Sequence, residues 1–261
     1  MKKKPLKLIA LTLGLLLAAN AQATIYEHRQ YFTGDMTANQ ACDAAEREVR
    51  RLALSAQLGE IIQSSSFQQC LAQGDEAGRC STQTDLYAQT PNGFVKRFDL
   101  VSKELAVTNL GQLCLVKADV EVVAFNGQPD PNFKLIADII PGSIIRDQEE
   151  ISLKISKPNG SWLYIFAGRP LKSFSLLVDG ESHLNALSEF TYPGDLSSVR
   201  WIVESALSIQ NEERLWVIAS REPIQFPSEL TENQLFEQLN RAERSSWDAA
   251  PVSYTILPTE N

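Results

Sequence analysis

Cys114-Leu115-Val116-Lys117-Ala118-Asp119-Val120-Glu121-Val122 decides the fold of the first half of this chain. Successive side chains of an extended strand point to opposite faces. Cys114, Val116, Ala118, Val120 and Val122 therefore share one face, and Lys117, Asp119 and Glu121 the other. Leu113 to Ala124 reads as a half-buried strand that needs an apolar cover. The cover stands upstream. Ala38, Cys42, Ala45, Val49, Leu52, Ala53 and Ala56 recur at helical steps from Thr37 to about Gly59. Thr37 with Gln40 forms a capping box, and Gly59 is the expected stop. Glu46, Arg47, Glu48, Arg50 and Arg51 fall largely off the stripe. An alanine-rich stripe is flat, so this helix can approach a sheet closely. Ile61–Leu71 and Phe94–Val107 read as further strands, the latter as one or two.

Working outward, the four cysteines are Cys42, Cys70, Cys80 and Cys114. Four cysteines allow three pairings. Cys42 lies on the apolar face of the helix and Cys114 on that of the strand, so helix-on-sheet packing favours Cys42–Cys114. Cys70 and Cys80 bracket a polar loop containing Gly74, Asp75 and Gly78, which favours Cys70–Cys80. Metal binding is the functional alternative, but no C-x-x-C spacing is present, and none of the four resembles a catalytic thiol.

Asn126-Gly127-Gln128-Pro129-Asp130-Pro131-Asn132 punctuates the chain. It is the expected linker between a domain at 24–125 and another at 133–261. Beyond it, short strands are expected at Ile151–Ser156, Ser161–Ala167, Ser173–Val178, Ser198–Val203, Leu215–Ser220 and Val252–Leu257. Pro158-Asn159-Gly160 is a hairpin turn. Trp162, Tyr164 and Phe166 alternate with Leu163 and Ile165, and Leu215–Ala219 is apolar on both faces. Such strands sit centrally in a covered sheet, which a β-sandwich provides. Leu230–Ala242 reads as a late helix. The fold class is therefore α+β: a small helix-on-antiparallel-sheet domain, then a β-sandwich-like domain with a late helix.

Lys2, Lys3, Lys4 and Lys7 precede an apolar run, Leu8–Ala19, and then Ala21-Gln22-Ala23. This is the pattern of a cleavable export signal over residues 1–23, too short to span a bilayer comfortably. The chain is expected in the periplasm, with full secretion as the other outcome of the same signal. An oxidising compartment suits disulfides. The full chain carries a net charge of −8, and four lysines lie in the signal, leaving −12 for the remainder. Nucleic acids and anionic membranes reward clustered lysine and arginine, so neither is an expected partner.

The search for chemistry finds little. His28 has no partner nearby in sequence and reads as a packing or surface residue. Gly180-Glu181-Ser182-His183-Leu184 resembles a nucleophile elbow, but Leu184 replaces the glycine that the strained turn requires. Asp179-Gly180 explains the segment as a turn. Glu149-Glu150 and Glu212-Glu213 stand beside turns, where solvated charge is usual, although paired carboxylates can hydrolyse glycosides. No glycine-rich phosphate loop or clustered metal ligands occur, so no cofactor is expected. Trp162, Tyr164, Trp201 and Trp216 could form a sugar- or peptide-stacking surface; the core of a sandwich is the better reading.

The helix Ala41–Ala53, followed by strands and then Cys114–Val122, resembles the N-terminal domain of flagellar assembly protein T and related small envelope lipoproteins. That resemblance covers about 24–125 and implies a helix on a small antiparallel sheet; no lipid-attachment cysteine is present. Gly160–Phe166, Tyr192-Pro193-Gly194 and Glu213–Ser220 resemble domain of unknown function 4384, which implies an accessory role in the envelope and carries no catalytic residues. The expected function is an exported accessory protein that binds an envelope partner and is not an enzyme. The alternatives are a hydrolase at Ser182 and His183, or a glycan-binding module using the tryptophans. The oligomeric state is not set by the sequence.

Overall fold

In the computed structural model, the first described elements are β1 (Thr24–Phe32) and α1 (Ala38–Leu58). The structure describes residues 24–33, 36–59, 65–71, 79–85, 89–90, 92–109, 111–168, 173–194, 199–204 and 211–258, with backbone alone at 65–71, 79–85, 89–90 and 211–212. The expected export signal and the loop between Cys70 and Cys80 lie outside these residues. The local rules hold for α1. The Thr37 hydroxyl accepts from the Gln40 N–H, and the Gln40 side chain accepts from the Thr37 N–H, 2.8 Å away. Gly59 closes the helix at φ 70°, a left-handed conformation that glycine adopts without strain.

Next come β2 (Ser65–Leu71), β3 (Arg79–Asp85), β4 (Gln89–Thr90), β5 (Gly93–Thr108) and β6 (Gly111–Ala124). β2 and β3 pair with each other, and their register sets Cys70 opposite Cys80. Their side chains lie outside the description. The antiparallel order β1-β6-β5-β4 makes a four-stranded sheet. Ala41, Cys42, Ala45, Val49, Ala53 and Leu54 of α1 bury against Cys114, Val116, Ala118 and Val120 of β6. A Cys42–Cys114 disulfide ties helix to sheet, with Cα atoms 5.2 Å apart. Phe94–Val107, expected as one or two strands, is the single strand β5. It accommodates its length through two register shifts, at Val95/Arg97 and Leu100/Ser102. Gly93 is where α1 reaches β5: a Cβ there would lie 2.6 Å from Leu58 Cδ1.

The second half comprises β7 (Ile136–Ile140), β8 (Ile144–Arg146), β9 (Glu150–Ser156), β10 (Trp162–Gly168), β11 (Ser173–Asp179), β12 (Glu189–Tyr192), β13 (Trp201–Ile202), β14 (Asn211–Ser220), β15 (Glu229–Thr231), α2 (Glu232–Leu239) and β16 (Trp247–Leu257). A six-stranded sheet runs β15-β11-β10-β14-β16-β8, with β8 parallel to β16. β9 pairs with β7, β12 and β13 in a second sheet. Leu163, Ile165, Leu215, Val217, Val252 and Ile256 on one face of the large sheet pack with Ile151, Leu153 and Ile155 of β9. This is the sandwich core. The other face carries Tyr164, Phe166, Phe174, Trp216 and Ile218, beneath Leu235, Phe236 and Leu239 of α2. The late helix is thus shorter than 230–242. Leu230 belongs to β15, and the Thr231/Gln234 capping box starts α2.

Phe94 of β5 and Phe125, just past the end of β6, join that second core. Phe125 stands edge-on to Trp247 at 4.9 Å and stacks with Phe94 at 5.4 Å. The irregular stretch 126–132 is also pinned. The Asn126 N–H donates to Asn240 Oδ1 at 2.9 Å, and Asn126 O accepts from the Arg244 N–H at 2.7 Å. Arg221 pairs with Asp130 and lies over the Phe133 ring at 4.5 Å.

The sandwich core gives the chain one alkaline sensitivity. Tyr254 on β16 is buried and sits opposite Glu213. Burial, reinforced by the Glu213 charge, pushes its phenol well above the ordinary tyrosine value. The folded state therefore prefers the neutral phenol. That preference is fully present below the unfolded value of about 10 and is lost as the pH rises beyond it. Urea unfolding at about pH 9 and about pH 11 should show a smaller alkaline loss in Tyr254→Phe than in the parent. Equal losses would refute the assignment.

Candidate functional site

The candidate residues for hydrolysis lie at several separate places in the described structure, with Ser182 and His183 adjacent in one turn. Ser182 and His183 lie in a 3-10 turn, Ser182–Leu184, on the surface. His183 Nε2 is 3.4 Å from Glu181 Oε2, with both side chains exposed. Among the described residues, no hydrogen bond joins Ser182 to His183. His28 lies on β1 opposite Val116, far in sequence and register from His183. Glu149 accepts the Arg146 N–H at 2.8 Å, closing a turn, and Glu150 faces Arg200 at 3.7 Å. Glu213 sits opposite Tyr254, and the Glu212 side chain lies outside the description. Among the described residues, no group of three or more His, Cys, Asp or Glu is placed to hold a metal ion.

The aromatic residues do not form one stacking face. Trp216 is 0 % and Tyr164 1 % exposed, both in the core beneath α2. The Trp216 ring meets Phe236 edge-on at 5.2 Å. The Tyr164 hydroxyl accepts the Ile224 N–H at 2.7 Å. Trp162 is partly buried against the same cluster. Trp201 belongs to the other face, where it packs on Tyr192 at 5.4 Å. This places three of the four in one buried cluster and one elsewhere.

Buried charge is likewise structural. Arg214 Nη1 is 3.2 Å from Glu232 Oε1, both nearly without solvent contact. Burial lowers the pKa of Arg50, whose guanidinium lies 4.0 Å over the Phe98 ring, and Glu232 and Glu46 act against that shift. A charge on α2 is thus felt on α1. Lys157 Nζ donates to Ser161 O at 2.9 Å, and burial lowers its pKa.

Exposed apolar side chains collect on the outer strand β5. Pairing with β4 covers only Gly93 and Phe94. Past that point, no described residue pairs with the outer side of β5. Leu100, Leu105 and Val107 are 49, 60 and 81 % exposed, and Val101, at a register shift, 54 %. Leu100, Leu105 and Val107 share the face that α1 only partly covers, as the register Leu100↔Ala118 and Leu105↔Cys114 shows. Lys103 on the same face reaches Glu46 of α1 at 2.8 Å. The result, among the described residues, is an apolar row beside a strand edge that no described strand pairs past Phe94, with α1 as a wall. The strand was legible in sequence. Its exposure was not, because exposure depends on what else packs there.

No family model, curated protein or solved structure matches this chain in comparison.

Proposed function

We propose that the chain is an exported, cell-envelope accessory protein that acts by binding another envelope protein and performs no catalysis. The observation that carries this reading is the outer part of β5, with its apolar row and an edge that no described strand pairs past Phe94. Exposed apolar clusters on strand edges are costly to keep unless a partner uses them. An extended segment of the partner can add to such an edge through main-chain hydrogen bonds, with alternate side chains resting on Leu100, Leu105 and Val107. The Cys42–Cys114 disulfide supports export, since such bonds persist in oxidising compartments. The signal-like segment at 1–23 and the resemblance to envelope proteins point the same way.

A photo-crosslinking amino acid at Val101, exposed on the same strand, should capture a discrete envelope protein in intact cells. Leu105→Glu with Val107→Glu should weaken that capture roughly tenfold or more. The same pair should leave folding stability within about 0.5 kcal/mol, because both sites are exposed. Capture that survives both substitutions, or none at all, would remove β5 as the docking edge.

A further inference from the structure

We propose that β1 pairs with β1 of a second copy of this chain, antiparallel about a two-fold axis through His28. The pairing joins two four-stranded sheets into one of eight strands. It is independent of what β5 binds.

The first support is the contrast between the sheet's two edges. The order β1-β6-β5-β4 leaves β1 outermost among the described strands on one side. Proteins protect free edges with bulges, lysines and prolines. β5 carries two register shifts, at Val95/Arg97 and Leu100/Ser102, with Lys96 and Lys103 beside them, so its edge is blocked over most of its length and runs uninterrupted at 104–108, where a short partner segment fits. β1 has no lysine or proline, and its nine residues pair with β6 without interruption, from Thr24↔Val120 to Phe32↔Gln112. α1 covers the face bearing Tyr26 and Phe32. The opposite face stays open, with Ile25 57 % and Tyr31 45 % exposed.

The second support is that β1 is complementary to itself. Its sequence is Thr24-Ile25-Tyr26-Glu27-His28-Arg29-Gln30-Tyr31-Phe32. Antiparallel pairing centred on His28 sets Ile25 against Tyr31 and Glu27 against Arg29, and each pair occurs twice by symmetry. On the open face, an apolar pair flanks two opposite-charge pairs on either side. On the covered face, Tyr26 meets Gln30 and His28 meets its own copy. Directly opposed apolar and opposite-charge pairs are the units that stabilise antiparallel strands. Within one copy, Arg29 already lies 3.3 Å from Glu27, so the pairing closes a ring of four alternating charges. The rows also continue inward, with Lys117 opposite Glu27 and Leu113 opposite Tyr31 on β6. Shifting the centre to Glu27 or Arg29 would oppose like charges instead.

Sedimentation of the chain beginning at Thr24 tests this directly, and a dimer is expected. Glu27→Arg alone, or Arg29→Glu alone, opposes like charges twice and should weaken the dimer about tenfold or more. The double swap Glu27→Arg/Arg29→Glu restores complementarity and should restore the dimer, which a mere folding defect would not do. Register is read by cysteine. Two copies of position 28 would lie about 4.5–5.5 Å apart, within disulfide reach. Two copies of position 30 would lie about 13 Å apart along the strands. Mild oxidation should therefore link His28→Cys covalently and leave Gln30→Cys unlinked. A parent chain that sediments as a monomer at every concentration would overturn the proposal. So would a dimer indifferent to the charge swaps, or one linked equally through positions 28 and 30.

Discussion

Trp216→Ala is expected to remove about 3–5 kcal/mol of folding stability, enough to unfold a marginal domain. Trp216 is fully buried on β14, at the centre of the six-stranded sheet. It packs edge-on to Phe236 of α2, and the cluster around it includes Phe94 from the first sheet. Truncation leaves a cavity bordered by three separate parts of the chain, which cannot all collapse inward. The indole N–H finds no acceptor among the described residues, so packing alone holds the ring. Trp216→Phe keeps most of that packing and removes an unsatisfied donor, so its loss should be nearer about 1–2 kcal/mol. Urea denaturation followed by far-ultraviolet circular dichroism measures both. A stable Trp216→Ala chain with altered glycan binding would return the tryptophan to the surface role that its burial argues against.

Second in size is the loss on removing the Cys42–Cys114 bond. The two residues are 72 positions apart, so the bond closes a long loop in the unfolded chain. In the chain-entropy account such a bond contributes about 4 kcal/mol. Both cysteines are buried between α1 and β6, so the paired change Cys42→Ala/Cys114→Ala also thins that contact. The midpoint of urea unfolding should fall sharply, and the oxidised parent should lose its advantage once reductant is present in the unfolded state. A midpoint unchanged by the double substitution would show that α1 and the sheet hold without the bond.

What could be read from sequence follows the range of the interactions involved. α1 was legible from end to end because its cap, its alanine stripe and its closing glycine each act over a span of about four residues. β6 was legible by strict alternation, and the Cys42–Cys114 pair followed once both faces were known. β1 was missed. Both its faces mix polar and apolar residues, since one is covered at Tyr26 and Phe32 while the other carries Ile25 and Tyr31. Strands β7, β8 and β12 are short and depend on partners elsewhere in the chain. The double-sided apolar character of β10 and β14 signalled a covered sheet. It did not say that Phe94 and Phe125 would help cover it. The segment 126–132 looked like a tether by composition, yet its anchors, Asn240 and Arg244, are more than a hundred residues downstream.

The aromatic seam around Phe125 bears on how load passes through the molecule. Load applied to β5 would reach Phe94 on that strand, Phe125 through their stacked rings, and then Trp247 and α2. The two halves then respond as one lever, and the glycine- and proline-rich stretch between them bears little of the strain.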